Sequence, residues 1–134
     1  MIEDGMYGSI NISGHKALKL ILVPSSASQL ISFTKVLESI STSGGSRTLD
    51  NLDFGGSAQR PTKLQLKVSK PGQAEQLHLF PSDEKAELIV WEGDSEYWQE
   101  CADKCTALLD AGRGHQYLLI RGSEDQECTL SYQE

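Results

Sequence analysis

The sequence predicts an α+β fold, and three observations point to it. Two apolar runs, residues 17–23 and 86–91, read as buried strands. Each is followed by a capped amphipathic pattern, through Ile40 and through Leu109. Each half then closes with two short alternating runs, so the plan is strand–helix–strand–strand, twice. The expected architecture is a mixed, mostly antiparallel sheet of about seven strands carrying two helices, with pseudo-twofold halves. Each strand–helix–strand crossover should be right-handed.

The elements follow in order. Ser9-Ile10-Asn11-Ile12-Ser13 alternates polar and apolar, the pattern of a half-buried strand. Gly14-His15-Lys16 makes a turn into residues 17–23, whose nearly continuous apolar character predicts a central strand covered on both faces. Ser26 with Gln29 three places on is a capping-box pattern. Leu30, Phe33, Leu37 and Ile40 then share one helical face, with Ile31 and Val36 at its edges.

Residues 41–61 form a long connection, uncommon inside a compact domain and usually functional or disordered when found. It carries Leu49, Leu52 and Phe54, which a pure linker does not need. From Thr62 to Val68, Leu64, Leu66 and Val68 point in while Lys63, Gln65 and Lys67 point out. Pro71-Gly72 signals a type II turn, and a hairpin with residues 76–79 is expected.

Asp94 and Ser95 are good N-caps for the second helix, and Asp94 and Glu96 favour the positive end of its dipole. Tyr97, Trp98, Cys101, Cys105, Leu108 and Leu109 lie on one face, and Gly112 is a stop signal. Residues 115–120 and 128–132 form the last hairpin, turning through Gly122-Ser123-Glu124-Asp125.

At 134 residues the whole chain, 1–134, is expected to be one domain with a core that needs no staples. No apolar stretch reaches the roughly 20 residues of a membrane helix, so no membrane partner is expected. The acidic start, Met-Ile-Glu-Asp-Gly, lacks the basic and apolar regions of a secretory signal, and three cysteines cannot all pair. A cytoplasmic protein is expected.

Net charge is −7 and unevenly placed. Residues 1–69 hold five acids and seven bases, and residues 70–134 hold fourteen acids and five bases. Such a surface repels phosphates, so nucleic acid is not an expected ligand. The same charge also fits a solvated surface that keeps the protein soluble.

The lookalikes for chemistry are weak. A buried strand ending in Gly93-Asp94-Ser95 resembles the nucleophile turn of GDS-type esterases. That family also needs a later Asp-x-x-His, and His115 has no acid three residues before it. Cys101 and Cys105, with Cys128 and His115, could surround zinc. They lack a Cys-x-x-Cys knuckle, and both helical cysteines continue the apolar stripe. No histidine has an acid neighbour at catalytic sequence spacing. No enzyme activity, cofactor or metal is expected.

Gly112-Arg113-Gly114-His115-Gln116-Tyr117-Leu118, an acidic turn and Leu130-Ser131-Tyr132-Gln133-Glu134, with Glu87-Leu88-Ile89-Val90 earlier, resemble small α/β immunity proteins. These come from bacterial polymorphic-toxin and contact-dependent inhibition loci, and the resemblance covers about the last fifty residues. It implies a cytosolic protein that binds and occludes a cognate toxin without catalysis. A basic nuclease domain would complement the acidic surface. Glu92, Asp94, Glu96 and Glu100, with Leu52 and Phe54 of the long loop, are the expected partner-binding residues. Trp98 is a further candidate anchor, and Arg113 and His115 are free to serve as well. The alternatives are a small hydrolase using Ser95 or a Cys/His site, and an adaptor subunit of a larger complex.

Overall fold

The computed structural model describes residues 6–13, 17–49, 52–56, 62–80, 87–121 and 126–134. Nine strands and two helices follow one another among them. They are β1 (Met6–Ser13), β2 (Ala17–Pro24), α1 (Ala27–Ser43), β3 (Ser46–Leu49), β4 (Leu52–Gly56) and β5 (Thr62–Val68). Then come β6 (Gln76–Phe80), β7 (Glu87–Gly93), α2 (Ser95–Ala111), β8 (Gly114–Arg121) and β9 (Gln126–Tyr132). The fold is α+β, and all seven strands anticipated from the sequence are present. The turns at residues 14–16 and 122–125 lie outside the described residues.

Helix ends obey local chemistry. Ser26 Oγ accepts from Gln29 N at 3.1 Å and opens α1. Its stripe of Leu30, Phe33, Leu37 and Ile40 is buried, while Ile31 is exposed. Gly112 closes α2 in the left-handed conformation that favours glycine, its N–H reaching Leu108 O at 3.0 Å. Gly72, at φ +81°, sits third in the expected turn, where Gln73 N donates to Lys70 O.

The strands form two mixed sheets rather than one. Sheet A has the order β4-β1-β2-β9-β8, and sheet B the order β3-β5-β7-β6. The expected β5–β6 hairpin is split, because β7 runs parallel to β5 and antiparallel to β6 between them. The reason is in β7 itself. Ile89, Val90 and Trp91 are buried in succession, so both faces need cover and a central place satisfies them.

The two halves are consequently exchanged. β2 begins the first half in sheet A, while β5 and β6 lie in sheet B. β7 begins the second half in sheet B, while β8 and β9 return to sheet A. Each helix therefore links strands of different sheets, and the handedness expected of a crossover within one sheet does not apply.

The connection at residues 41–61 is also more structured than expected. α1 runs on to Ser43, β3 pairs with β5, and β4 pairs in parallel with β1 at the edge of sheet A. Leu49 is half-buried against the core.

β2 departs from expectation in a different way. It is central, between β1 and β9, but among the described residues only one of its faces is covered. Leu18, Leu20 and Leu22 are buried, whereas Ile21 is 44% and Val23 37% exposed. The inner face belongs to one core that includes α1, α2, Leu64, Leu66, Leu77, Trp91 and Leu130.

Candidate functional site

The N-terminus of α2 gathers most of the acids singled out by the sequence, and the structure gives them different tasks. Asp94 is the N-cap. Its Oδ1 accepts from Tyr97 N at 2.8 Å and its Oδ2 from Gly72 N at 3.0 Å, tying the 70–73 turn to the helix. Those backbone hydrogen bonds hold its carboxyl below the usual aspartate value. Ser95 is the first residue of α2, and its carbonyl accepts from Ser41 Oγ at 2.9 Å. Gly93 lies so close to Tyr97 that an added Cβ would run into the ring. All three residues of the esterase-like turn thus have a structural explanation. Pro71, Gly72, Asp94, Ser95 and Glu96 line a shallow cleft of about 280 Å³ there.

Glu92 sits on the outer face of sheet B. Gln76 Nε2 donates to its Oε1 at 3.0 Å, and His78 Nε2 lies 2.9 Å from the same oxygen. Burial raises its carboxyl pKa. The hydrogen bonds from His78 and Gln76, with the electrostatic influence of His78 and Lys67, outweigh burial and leave it lowered. His78 therefore has an acid neighbour that the sequence reading did not find. The pair is made by strand register, which sets Gln76 opposite Glu92 and His78 opposite Val90. Sequence spacing carries no such signal.

Glu96 and Glu100 are exposed on α2, as are Asp103 and Asp110. These positions fall on one stripe, opposite the buried stripe of Tyr97, Trp98, Cys101, Cys105 and Leu108. Lys104 is the helix's basic residue, and its Nζ donates to Tyr117 O at 2.7 Å. Gln99 Nε2 donates to Asp103 Oδ1 at 3.1 Å.

The other candidates lie elsewhere. Trp98 is fully buried, 0% exposed, and its Nε1 donates to Lys67 O, so it is core rather than an anchor. Leu52 and Phe54 lie in β4, opposite Met6 and Gly8 at the edge of sheet A. Glu92 and the α2 N-terminus are carried by sheet B. Among the described residues, the start of the 41–61 segment reaches the acidic end of α2 through Ser41. Arg113 and His115 follow α2 at its other end. Across the 17 residues of the helix that is about 25 Å from Asp94. His115 Nδ1 lies 3.1 Å from Glu134 Oε2, and its ring meets Tyr117 edge-on at 5.4 Å. That hydrogen bond lowers the Glu134 carboxyl.

The chemistry open to the cysteines is narrow. All three are buried. Burial pushes the Cys101 and Cys105 thiols up to about 12 and the Cys128 thiol well above its ordinary value, so they stay protonated. Ser95 and His115 stand at opposite ends of α2. The structure therefore does not bring Ser95 and His115 together.

Compared with known proteins, the chain matches no family model, no curated protein and no solved structure. Among the described residues, no helix is long and apolar enough to cross a membrane.

Proposed function

We propose that this protein is a non-catalytic binding protein, an immunity protein that occludes a cognate toxin through the acidic face of α2. The observation that carries the reading is the exposed stripe Glu96, Glu100, Asp103 and Asp110 on a well-packed helix. Such a stripe raises the rate of encounter with a basic partner and orients it on arrival. A nuclease site is basic, so the charges are complementary. The resemblance of about the last fifty residues to immunity proteins supports the same conclusion.

The hydrolase reading draws less support, because its serine and histidine are a helix apart and its thiols are buried. An adaptor subunit would use the same acidic face and differ only in the partner.

The test uses the product of the neighbouring gene, which should be the toxin. Co-expression should restore growth, and the purified pair should bind with an on-rate that falls as salt rises. Glu96→Lys with Glu100→Lys should slow association at low salt by about tenfold or more and leave the thermal midpoint within a few degrees. Binding at the wild-type rate would reduce the stripe to a solvated surface.

A further inference from the structure

On the outer face of sheet A, β2 and β8 carry apolar side chains in the open. Ile21 is 44%, Val23 37%, Tyr117 44% and Ile120 66% exposed. The register brings them together. Ile21 lies beside Thr129, and Thr129 beside Tyr117, one row across three strands. Lys19, Glu127 and Ile120 form the next row. A bulge in β8 between Tyr117 and Leu119 turns Leu118 and Leu119 both inward and keeps Tyr117 and Ile120 both outward. β2 has the composition of a strand covered on two faces, and the described residues cover one.

We propose that the outer face of sheet A is covered by a second copy of this chain, in a face-to-face twofold dimer.

Charge favours this occupant. On this face Lys19 lies opposite Glu127, while the chain as a whole carries −7. A basic partner is drawn to α2, not here. Two copies approach most readily where the α2 acids are turned away, and this face is such a place. α2 packs on the inner side of sheet A against β8, so its acidic stripe points away from the dimer contact. The area is adequate too. The five strands, five to eight residues long and about 4.8 Å apart, give a flat footprint of roughly 570 Å². Side-chain relief brings this toward the roughly 800 Å² per partner of a stable interface. Aligned packing of two twisted sheets is self-complementary about a twofold axis.

Two sheet edges are closed to the alternative of strand pairing. Lys104 takes the Tyr117 carbonyl and Tyr97 the Leu118 carbonyl at the β8 bulge. Gln126 takes both the N–H and the carbonyl of Leu77 on β6.

Sedimentation velocity on the full chain over a concentration series tests the proposal. The wild type should dimerise, and more tightly at higher salt, because salt screens the repulsion between acidic copies. Ile120→Glu should raise the dimer dissociation constant by about a hundredfold or more, since it buries an unpaired charge. Ile120→Gln, a milder change at a two-thirds exposed position, should weaken the dimer without unfolding. Ile31→Gln, exposed on α1, should leave it unchanged. A wild type that stays monomeric at every concentration overturns the proposal and leaves the face to another occupant. A dimer that survives Ile120→Glu with its circular dichroism intact overturns it as well. Neither outcome bears on toxin binding at α2, which Glu96→Lys with Glu100→Lys reads separately.

Discussion

Tyr97 shows how much one side chain can join. Its hydroxyl accepts from Trp91 Nε1 at 2.8 Å and donates to Leu118 O at 2.7 Å. Its ring meets Trp98 edge-on at 5.1 Å and Trp91 at 6.4 Å. One residue thus fixes α2 to β7 in sheet B and to β8 in sheet A. Tyr97→Phe keeps the ring and removes the oxygen, leaving a buried indole N–H without its acceptor and a carbonyl without its best donor. The expected loss is about 2–3 kcal/mol in urea unfolding, because an unmet buried polar group costs about 1–3 kcal/mol. Tyr117→Phe, at a 44% exposed position, should stay within about 0.5 kcal/mol. A Tyr97→Phe protein as stable as wild type would mean that water replaces the hydroxyl. The sequence placed Tyr97 on the buried stripe correctly, since helical periodicity is local. Its hydroxyl partners lie 6 and 21 residues away, and periodicity does not reach them.

At the scale of the element, local chemistry decided what could be read in advance. The caps at Ser26 and Asp94, the glycine stop at 112 and the turn at Pro71-Gly72 each involve neighbours in the chain, and each was legible. The order of strands was not, because it depends on which strand most needs cover. β7 won the central place from β6 on the strength of Ile89, Val90 and Trp91. The Asp94 cap crosses this divide: its bond to Tyr97 N is local and its bond to Gly72 N is not. Asp94→Ala should cost about 1–2 kcal/mol of stability. Asp94→Ser, which keeps a capping oxygen for Tyr97 N, should recover part of that loss, and the remainder measures the link to Gly72. The pH dependence has a definite sign. The folded carboxyl is held below its ordinary value of 3.8, so its contribution is complete above that pH. It is lost as pH falls through the lower, folded value. The gap between wild type and Asp94→Ala should therefore close on acidification below about pH 4. A gap constant down to pH 2 would exclude the charge from the cap's contribution.

At the scale of the molecule, two sheets exchange strands between halves, and something must hold them in register. Gln126 does so at one point. Its Oε1 accepts from Leu77 N at 2.9 Å and its Nε2 donates to Leu77 O at 2.8 Å. A side-chain amide thus stands in for a backbone residue of a neighbouring strand, joining the start of β9 to the edge strand β6. Nothing local announces this, since the partners are 49 residues apart and glutamine is commonly exposed. Its 5% exposure is the structural sign that it is spoken for. Gln126→Ala leaves a buried N–H and carbonyl unmet, an expected cost of about 2–4 kcal/mol. The Leu77 amide should then exchange its hydrogen faster than those of β2, because the seam between sheets opens before the core does. Gln126→Glu sharpens the test. Ionised, the carboxylate can accept from Leu77 N but faces Leu77 O with no hydrogen to give. Protonated, it can make both bonds again. Burial and the facing carbonyl raise the folded pKa of that carboxyl above its unfolded value. Stability relative to wild type should then be nearly complete below the unfolded value and fall as pH rises through the folded one. A Gln126→Glu protein whose deficit is the same at pH 4 and pH 8 would show that the two-bond geometry at Leu77 does not join the sheets.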